Sequence, residues 1–150
     1  MIKILKYSII FFLLISCSYE PILLNKKFDF EFIDIKYAGE KNINKIIESN
    51  LIRQSSGVKK YKLNYSNKKF REILSSDTKG DPSIYKLNVN VKYELKENEL
   101  IVLKNEISRQ SIYNNINDKF ELSKLEESIL KNLSKNISDE ILISISSIEK

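Results

Sequence analysis

The stretch from Ile84 to Lys96 leaves this chain little choice of structure. Tyr85, Leu87, Val89, Val91, Tyr93 and Leu95 fall on every second position, and Lys86, Asn88, Asn90, Lys92, Glu94 and Lys96 fill the gaps. Successive side chains of a strand point to opposite faces, so the pattern predicts a strand with one dry face and one wet face. An antiparallel sheet packed on one side and solvated on the other has this signature. Its dry face must be covered by another element.

The cover is legible further on. Leu122, Leu125, Ile129, Leu133, Ile137, Ile141 and Ile145 recur in steps of three and four and predict a helix over Leu122 to Ser147. Such a helix is about 38 Å long at ~1.5 Å per residue, and a strand of about 11 residues spans about 36 Å. The two match, as a two-layer sandwich requires. Ile43, Ile46, Ile47 and Leu51 predict an earlier helix over Lys41 to Gln54, stopped by Ser55-Ser56-Gly57 with Gly57 as its C-terminal cap.

Phe28 to Tyr37 reads as the first strand. Its alternation slips by one after Phe32, to Ile33, Ile35 and Tyr37, which indicates a bulge or a strand buried on both faces at its middle. Val58 to Ser75 mixes two periods. Tyr61, Leu63 and Tyr65 alternate, whereas Phe70, Ile73 and Leu74 suit a helix better; the expectation is a strand broken or bulged near Ser66-Asn67. Asp77 to Ser83 is a turn. Glu97-Asn98 turns the chain into a partner strand, Glu99 to Ser111, with Ile101, Leu103 and Ile107 as its apolar set, and Tyr113 to Asp118 reads as a polar loop. The expected fold class is α+β, in the order β-α-β-β-β-α, with two helices on one face of a four-stranded, mostly antiparallel or mixed sheet.

The first residues have a different character. Lys3 and Lys6 precede an apolar run, Ile9 to Ile15, which ends at small Ser16 and the single cysteine, Cys17. This is the layout of a secretory signal peptide, and the run is about half the roughly 20 residues that a spanning helix needs. Leu14-Ile15-Ser16-Cys17 resembles the bacterial lipobox, in which the cysteine is acylated and becomes the first residue of the mature protein. The competing reading is a plain signal peptide or short anchor with Cys17 incidental. The expected organisation is a lipoprotein signal over residues 1–16, a tether over 17–27 and one sandwich domain over 28–150. Two or three acyl chains suffice for stable attachment, where one holds only marginally.

Composition removes whole classes of chemistry. There is no histidine, which removes the commonest general base and every Ser-His or Cys-His pair. Gly39, Gly57 and Gly80 stand apart, so there is no glycine-rich phosphate loop. Two of the 25 basic residues lie in the leader, and the remaining 23 face 20 acidic ones, a balance too mild to indicate nucleic acid. No cofactor or metal site is expected. The neighbouring carboxylates Glu97/Glu99, Glu126/Glu127 and Asp139/Glu140 read as solvated surface.

Four features together resemble a known family, the LptE lipoproteins of lipopolysaccharide assembly, particularly the alphaproteobacterial type. They are Cys17-Ser18-Tyr19-Glu20-Pro21, with Ser18 where the family usually has glycine; the turn Asp77-Thr78-Lys79-Gly80 before the strand that opens Tyr85-Lys86-Leu87; Ser111-Ile112-Tyr113-Asn114; and Asn136-Ile137-Ser138-Asp139-Glu140-Ile141 in the last helix. The resemblance implies two helices on a four-stranded sheet. It also implies a non-catalytic, lipid-anchored protein of the outer membrane facing the periplasm, which plugs and helps assemble the LptD β-barrel and assists lipopolysaccharide transport. Lysines and arginines would then meet lipid phosphates, and the candidates are Lys59, Lys60, Lys62, Lys68, Lys69 and Arg71. A solvated strand face is the competing reading of these charges. The alternatives for the whole chain are another envelope lipoprotein scaffold with a different partner, and a small hydrolase using carboxylates.

Overall fold

The computed structural model describes residues 27–148. These form β1 (Phe28–Ala38), α1 (Lys41–Gln54), β2 (Ser55–Ser76), β3 (Pro82–Glu97), β4 (Leu100–Asn114) and α2 (Lys119–Ser147). The strands make one sheet in the order β1-β2-β3-β4. β1 runs parallel to β2 and the other two pairings are antiparallel, so the sheet is mixed. α1 packs on β1 and β2, α2 packs on β3 and β4, and the two helices touch each other.

The alternation of β3 builds one wall of the core. Tyr85, Leu87, Val89, Val91, Tyr93 and Leu95 are all buried, and so are Leu122, Leu133, Ile137, Ile141 and Ile145 of the α2 stripe. Full burial of such a side chain contributes about 1.5–3 kcal/mol, so these two facing rows supply much of the cohesion. α2 begins where Asp118 accepts hydrogen bonds from the backbone N–H groups of Phe120 (2.8 Å) and Glu121 (3.2 Å), satisfying donors that the helix cannot. The slip read in β1 is a bulge. The pairing with β2 shifts between Phe32 and Asp34. Ile33 is the extra residue, and Phe28, Phe30 and Phe32 keep the same face as Ile35 and Tyr37.

Four expectations need correction. β2 is not broken at Ser66-Asn67; its pairing with β3 runs without interruption from Lys62 to Ile73. Phe70, Ile73 and Leu74 imitate a helical period because they are surface residues of a strand and no core selects their phase; they are 50%, 58% and 46% exposed. Gly57 does not cap α1, whose C-cap is Ser55 in extended conformation. Gly57 lies inside β2, where a Cβ would stand 2.0 Å from the carbonyl carbon of Asp29. The glycine is there because β1 passes too close for a side chain. β4 continues through Tyr113 and Asn114, since Tyr113 is buried and stacks on Tyr85 with ring centroids 5.7 Å apart. Finally, Ile101 is exposed. The β3–β4 register shifts between Leu95 and Lys96, which sets Ile101 opposite Lys96 of the wet face.

β2 is the longest strand, and its neighbours cover different parts of it. β1 pairs with it from Ser55 to Ser66, and β3 from Lys62 to Ser76. Among the described residues, no strand lies on the β1 side of β2 beyond Ser66.

Candidate functional site

Cys17, with Leu14 and Ser16 before it, lies outside the described residues. The six basic candidates all sit on β2, and alternation divides them between its faces. Lys62 and Lys68 stand opposite Lys96 and Asn90, on the wet face, and Lys60 shares their parity. Lys69 and Arg71 stand opposite Val89 and Leu87, and Lys59 opposite Phe30, on the helix side. They are therefore not one patch.

Two of them are held by carboxylates. Arg71 donates from Nη1 to Oε1 of Glu126 on α2 (3.0 Å), and its guanidinium carbon lies 4.8 Å from the Tyr85 ring centroid. Glu126 holds that guanidinium above its ordinary pKa, and it also accepts from the Tyr113 hydroxyl at 2.7 Å. This clasp joins β2, β4 and α2. Lys62 donates to Glu99 at the hairpin tip, which raises the ammonium pKa and lowers that of the carboxylate. Among the described residues, Lys60, Lys68 and Lys69 make no ion pair.

The wet face carries a shallow groove of about 750 Å³ whose charged and polar lining includes Lys36, Asn64, Lys92, Glu94, Lys104 and Glu106. Cross-strand ion pairs knit it together: Lys104 to Glu94 at 2.6 Å and Lys92 to Glu106 at 3.5 Å, with Lys86 to Glu72 at 2.6 Å beyond it. Hydrogen bonds from Lys104 and Asn90 hold Glu94 and Glu106 below the usual carboxylate range. These carboxylates act here as hydrogen-bond acceptors. Of the close pairs noted in the sequence, Glu99, Glu126 and both members of Asp139/Glu140 have partners. Asp139 accepts from Asn50 (2.7 Å) and Gln54 (3.1 Å), and Glu140 pairs with Arg109. Among the described residues, no cluster of acidic or cysteine side chains suits a metal ion, and no helix is long and apolar enough to cross a membrane.

A second depression, of about 470 Å³, lies where β1 ends and β2 continues; Lys41, Lys68, Lys69 and Phe70 line it. Asn67 forms its inner wall. The Asn67 amide nitrogen donates to Oδ1 of Asn44 (2.6 Å) and to the carbonyl of Ala38 (3.3 Å), and its oxygen accepts from the Glu40 amide (3.0 Å). Gly39 turns the corner at φ +104°, where a Cβ would lie 2.3 Å from the Asn67 carbonyl oxygen. The sequence reading missed this lock. The available signal was Asn44, a polar residue in register with Ile43, Ile47 and Leu51. Asn50 and Gln54 repeat the signal, and they meet Asp139 and Ser138 between the helices, with Asn50 donating to the Ser138 hydroxyl at 2.6 Å.

The fold is shared with solved structures of bacterial lipoproteins. Rare lipoprotein B from Shewanella oneidensis matches with a TM-score of 0.62 at 17% identity, covering 77% of this chain and 96% of that one. A lipoprotein B from Nitrosomonas europaea gives 0.64 at 16% identity, covering 89% and 92%. A minor lipoprotein from Acinetobacter baumannii gives 0.58 at 12% identity, covering 79% and 92%. No family model and no curated protein sequence matches, so the likeness is one of fold.

Proposed function

We propose that this chain is a lipid-anchored envelope lipoprotein of the LptE type, a non-catalytic subunit that helps assemble and plug an LptD-like outer-membrane β-barrel and assists lipopolysaccharide on its way to the cell surface. The observation that carries the reading is the coincidence of a lipobox-like leader ending at Cys17 with a fold shared, over nearly their whole length, with bacterial lipoproteins. Acylation of Cys17 holds the domain at the outer membrane, facing the periplasm. The domain binds; it does not turn over substrate. Glu94, Glu99, Glu106, Glu126, Asp139 and Glu140 are engaged by cationic, amide or hydroxyl partners, and Lys60, Lys68 and Lys69, which make no ion pair among the described residues, are the side chains suited to lipid phosphates.

The test is recovery of the tagged, full-length protein from its own membranes in mild detergent. An LptD-like barrel in near-equal amount is the expected result. A clean preparation without any barrel, from cells that contain one, overturns the barrel role. Replacement of Cys17 by serine is expected to release the protein from the membrane; retention by the membrane would remove the lipid anchor from the proposal.

A further inference from the structure

β2 outruns β1. From Asn67 to Ser76, the side that β1 covers earlier has no strand beside it among the described residues. A bare edge presents N–H and C=O groups ready to pair with another chain. This one also carries apolar side chains: Phe70, Ile73 and Leu74 are each about half exposed. And β1 is stopped rather than frayed. Asn67 bonds both sides of the corner at Gly39, which sends the chain back into α1 and keeps β1 from covering the rest of β2.

We propose that residues 68–76 of β2 accept an extended, acidic segment of a partner polypeptide as an added strand, with its end seated in the notch beyond β1. Main-chain hydrogen bonds supply the affinity in this mode of recognition and side chains choose the partner. Charge makes the choice here. Lys41, Lys68 and Lys69 line the notch against a single acid, Glu40, and Lys68 and Lys69 have no ion pair among the described residues. A second copy of this edge is a poor occupant, because antiparallel self-pairing over residues 68–76 sets Glu72 against its own counterpart, a like-charge pair that destabilises, and leaves Lys68 and Lys69 opposite serines with no acid to meet. Lys69 lies on the helix side of β2 and Phe70 and Leu74 lie on its wet face, so a strand alternating acidic and apolar residues meets Lys69 with carboxylates on one face and runs aliphatic side chains along Phe70 and Leu74 on the other. The proposal rests on reading the chain as an assembly subunit, and it locates where a partner's chain lies.

The experiment measures amide hydrogen exchange of the full-length protein in detergent, with and without a synthetic peptide of alternating valine and glutamate at millimolar concentration. Amides of residues 67–76 are expected to slow by about tenfold or more while those of β4 do not change. The Lys68→Glu/Lys69→Glu variant, altered only at exposed positions, is expected to lose that protection, and a valine–lysine peptide to give none. The proposal is overturned by no protection with the glutamate peptide, by equal protection with the lysine peptide, or by protection that rises with protein concentration alone, the mark of self-pairing. The peptide stands apart from the barrel, so the two readings fail separately. A barrel that co-purifies without peptide protection preserves the assembly role and removes this strip; protection without a barrel does the reverse.

Discussion

Replacing Asn67 by alanine removes three hydrogen bonds at once: 2.6 Å to Asn44, 3.3 Å to Ala38 and 3.0 Å from Glu40. Each contributes about 1 kcal/mol net. The Asn44 oxygen, on a side chain only 3% exposed, is left without its donor, which adds about 1–3 kcal/mol. The expected loss is therefore about 4–6 kcal/mol, a large fraction of the roughly 5–15 kcal/mol that holds an ordinary domain together. With a slope of about 2 kcal/mol per molar urea, the unfolding midpoint falls by about 2–3 M. Asn90→Ala is the control. Asn90 bonds Glu106 at 2.7 Å on the wet face, and its loss should stay within about 0.5–1 kcal/mol. The Asn44→Ala/Asn67→Ala pair should fall short of additivity by about 1 kcal/mol or more. Asn67→Asp sharpens the test. A carboxylate placed against two oxygens and out of water has its pKa raised on folding, so the variant is less unstable when protonated and worsens as pH rises past the unfolded carboxylate value. If Asn67→Ala costs no more than Asn90→Ala, or if Asn67→Asp ignores pH, the corner is not held by this side chain and the reasoning fails.

Gly57→Ala puts a methyl group 2.0 Å from the Asp29 carbonyl carbon and 2.4 Å from the Phe30 nitrogen; backbone cannot yield as a side chain would, so a loss of about 3 kcal/mol or more is expected by urea titration. Tyr93 is 1% exposed and its hydroxyl has no hydrogen-bond partner among the described residues, so Tyr93→Phe should be neutral or stabilise by up to about 1 kcal/mol. Glu94, Glu99 and Glu106 have folded pKa values lowered from 4.5 by their hydrogen-bond partners; their contribution is present above the unfolded value and is lost as pH falls through the folded ones, so midpoints should drop on the acid side, and less so in high salt, because all three are exposed. Burial raises the Tyr65 and Tyr113 hydroxyls above 10.0, which keeps their contribution intact below that value and removes it as pH climbs beyond, a second decline measurable in the same series.

The strands and helices that face the core were legible because burial imposes a period. Tyr85 to Leu95 and Leu122 to Ile145 could be assigned a face before any coordinates, and the bulge at Ile33 showed as a change of phase. What was lost lay where burial stops acting. The far half of β2 is exposed on both faces, so its apolar residues carry no phase. Gly57 looked like a helix cap because the reason for it, the backbone of Asp29, is 28 positions away in the chain. The candidate site followed the same rule. Counting charges found Lys68 and Lys69, but only the register separates them onto opposite faces, and only the end of β1 opens the notch between them and Lys41. Arg71, counted with them, belongs to Glu126.

The mixed pairing of the sheet also sets an order of events in folding. β3 and β4 are joined by the two-residue turn Asn98-Glu99, with φ of 46° and 69°, the left-handed pair that suits a tight hairpin. That hairpin closes over a few residues within about 1–10 μs. β1 can pair with β2 only after α1 has formed a crossover between them, a contact of much greater sequence separation and slower to form. The first of these strands to leave the ribosome is thus fixed after the β3–β4 hairpin, and it carries Phe28, Phe30 and Phe32 into the core. Until it docks, a row of phenylalanines waits uncovered beside the segment read as the lipid tether. A holding chaperone that binds extended aromatic sequence would find this protein early in its life and release it once β1 is in place.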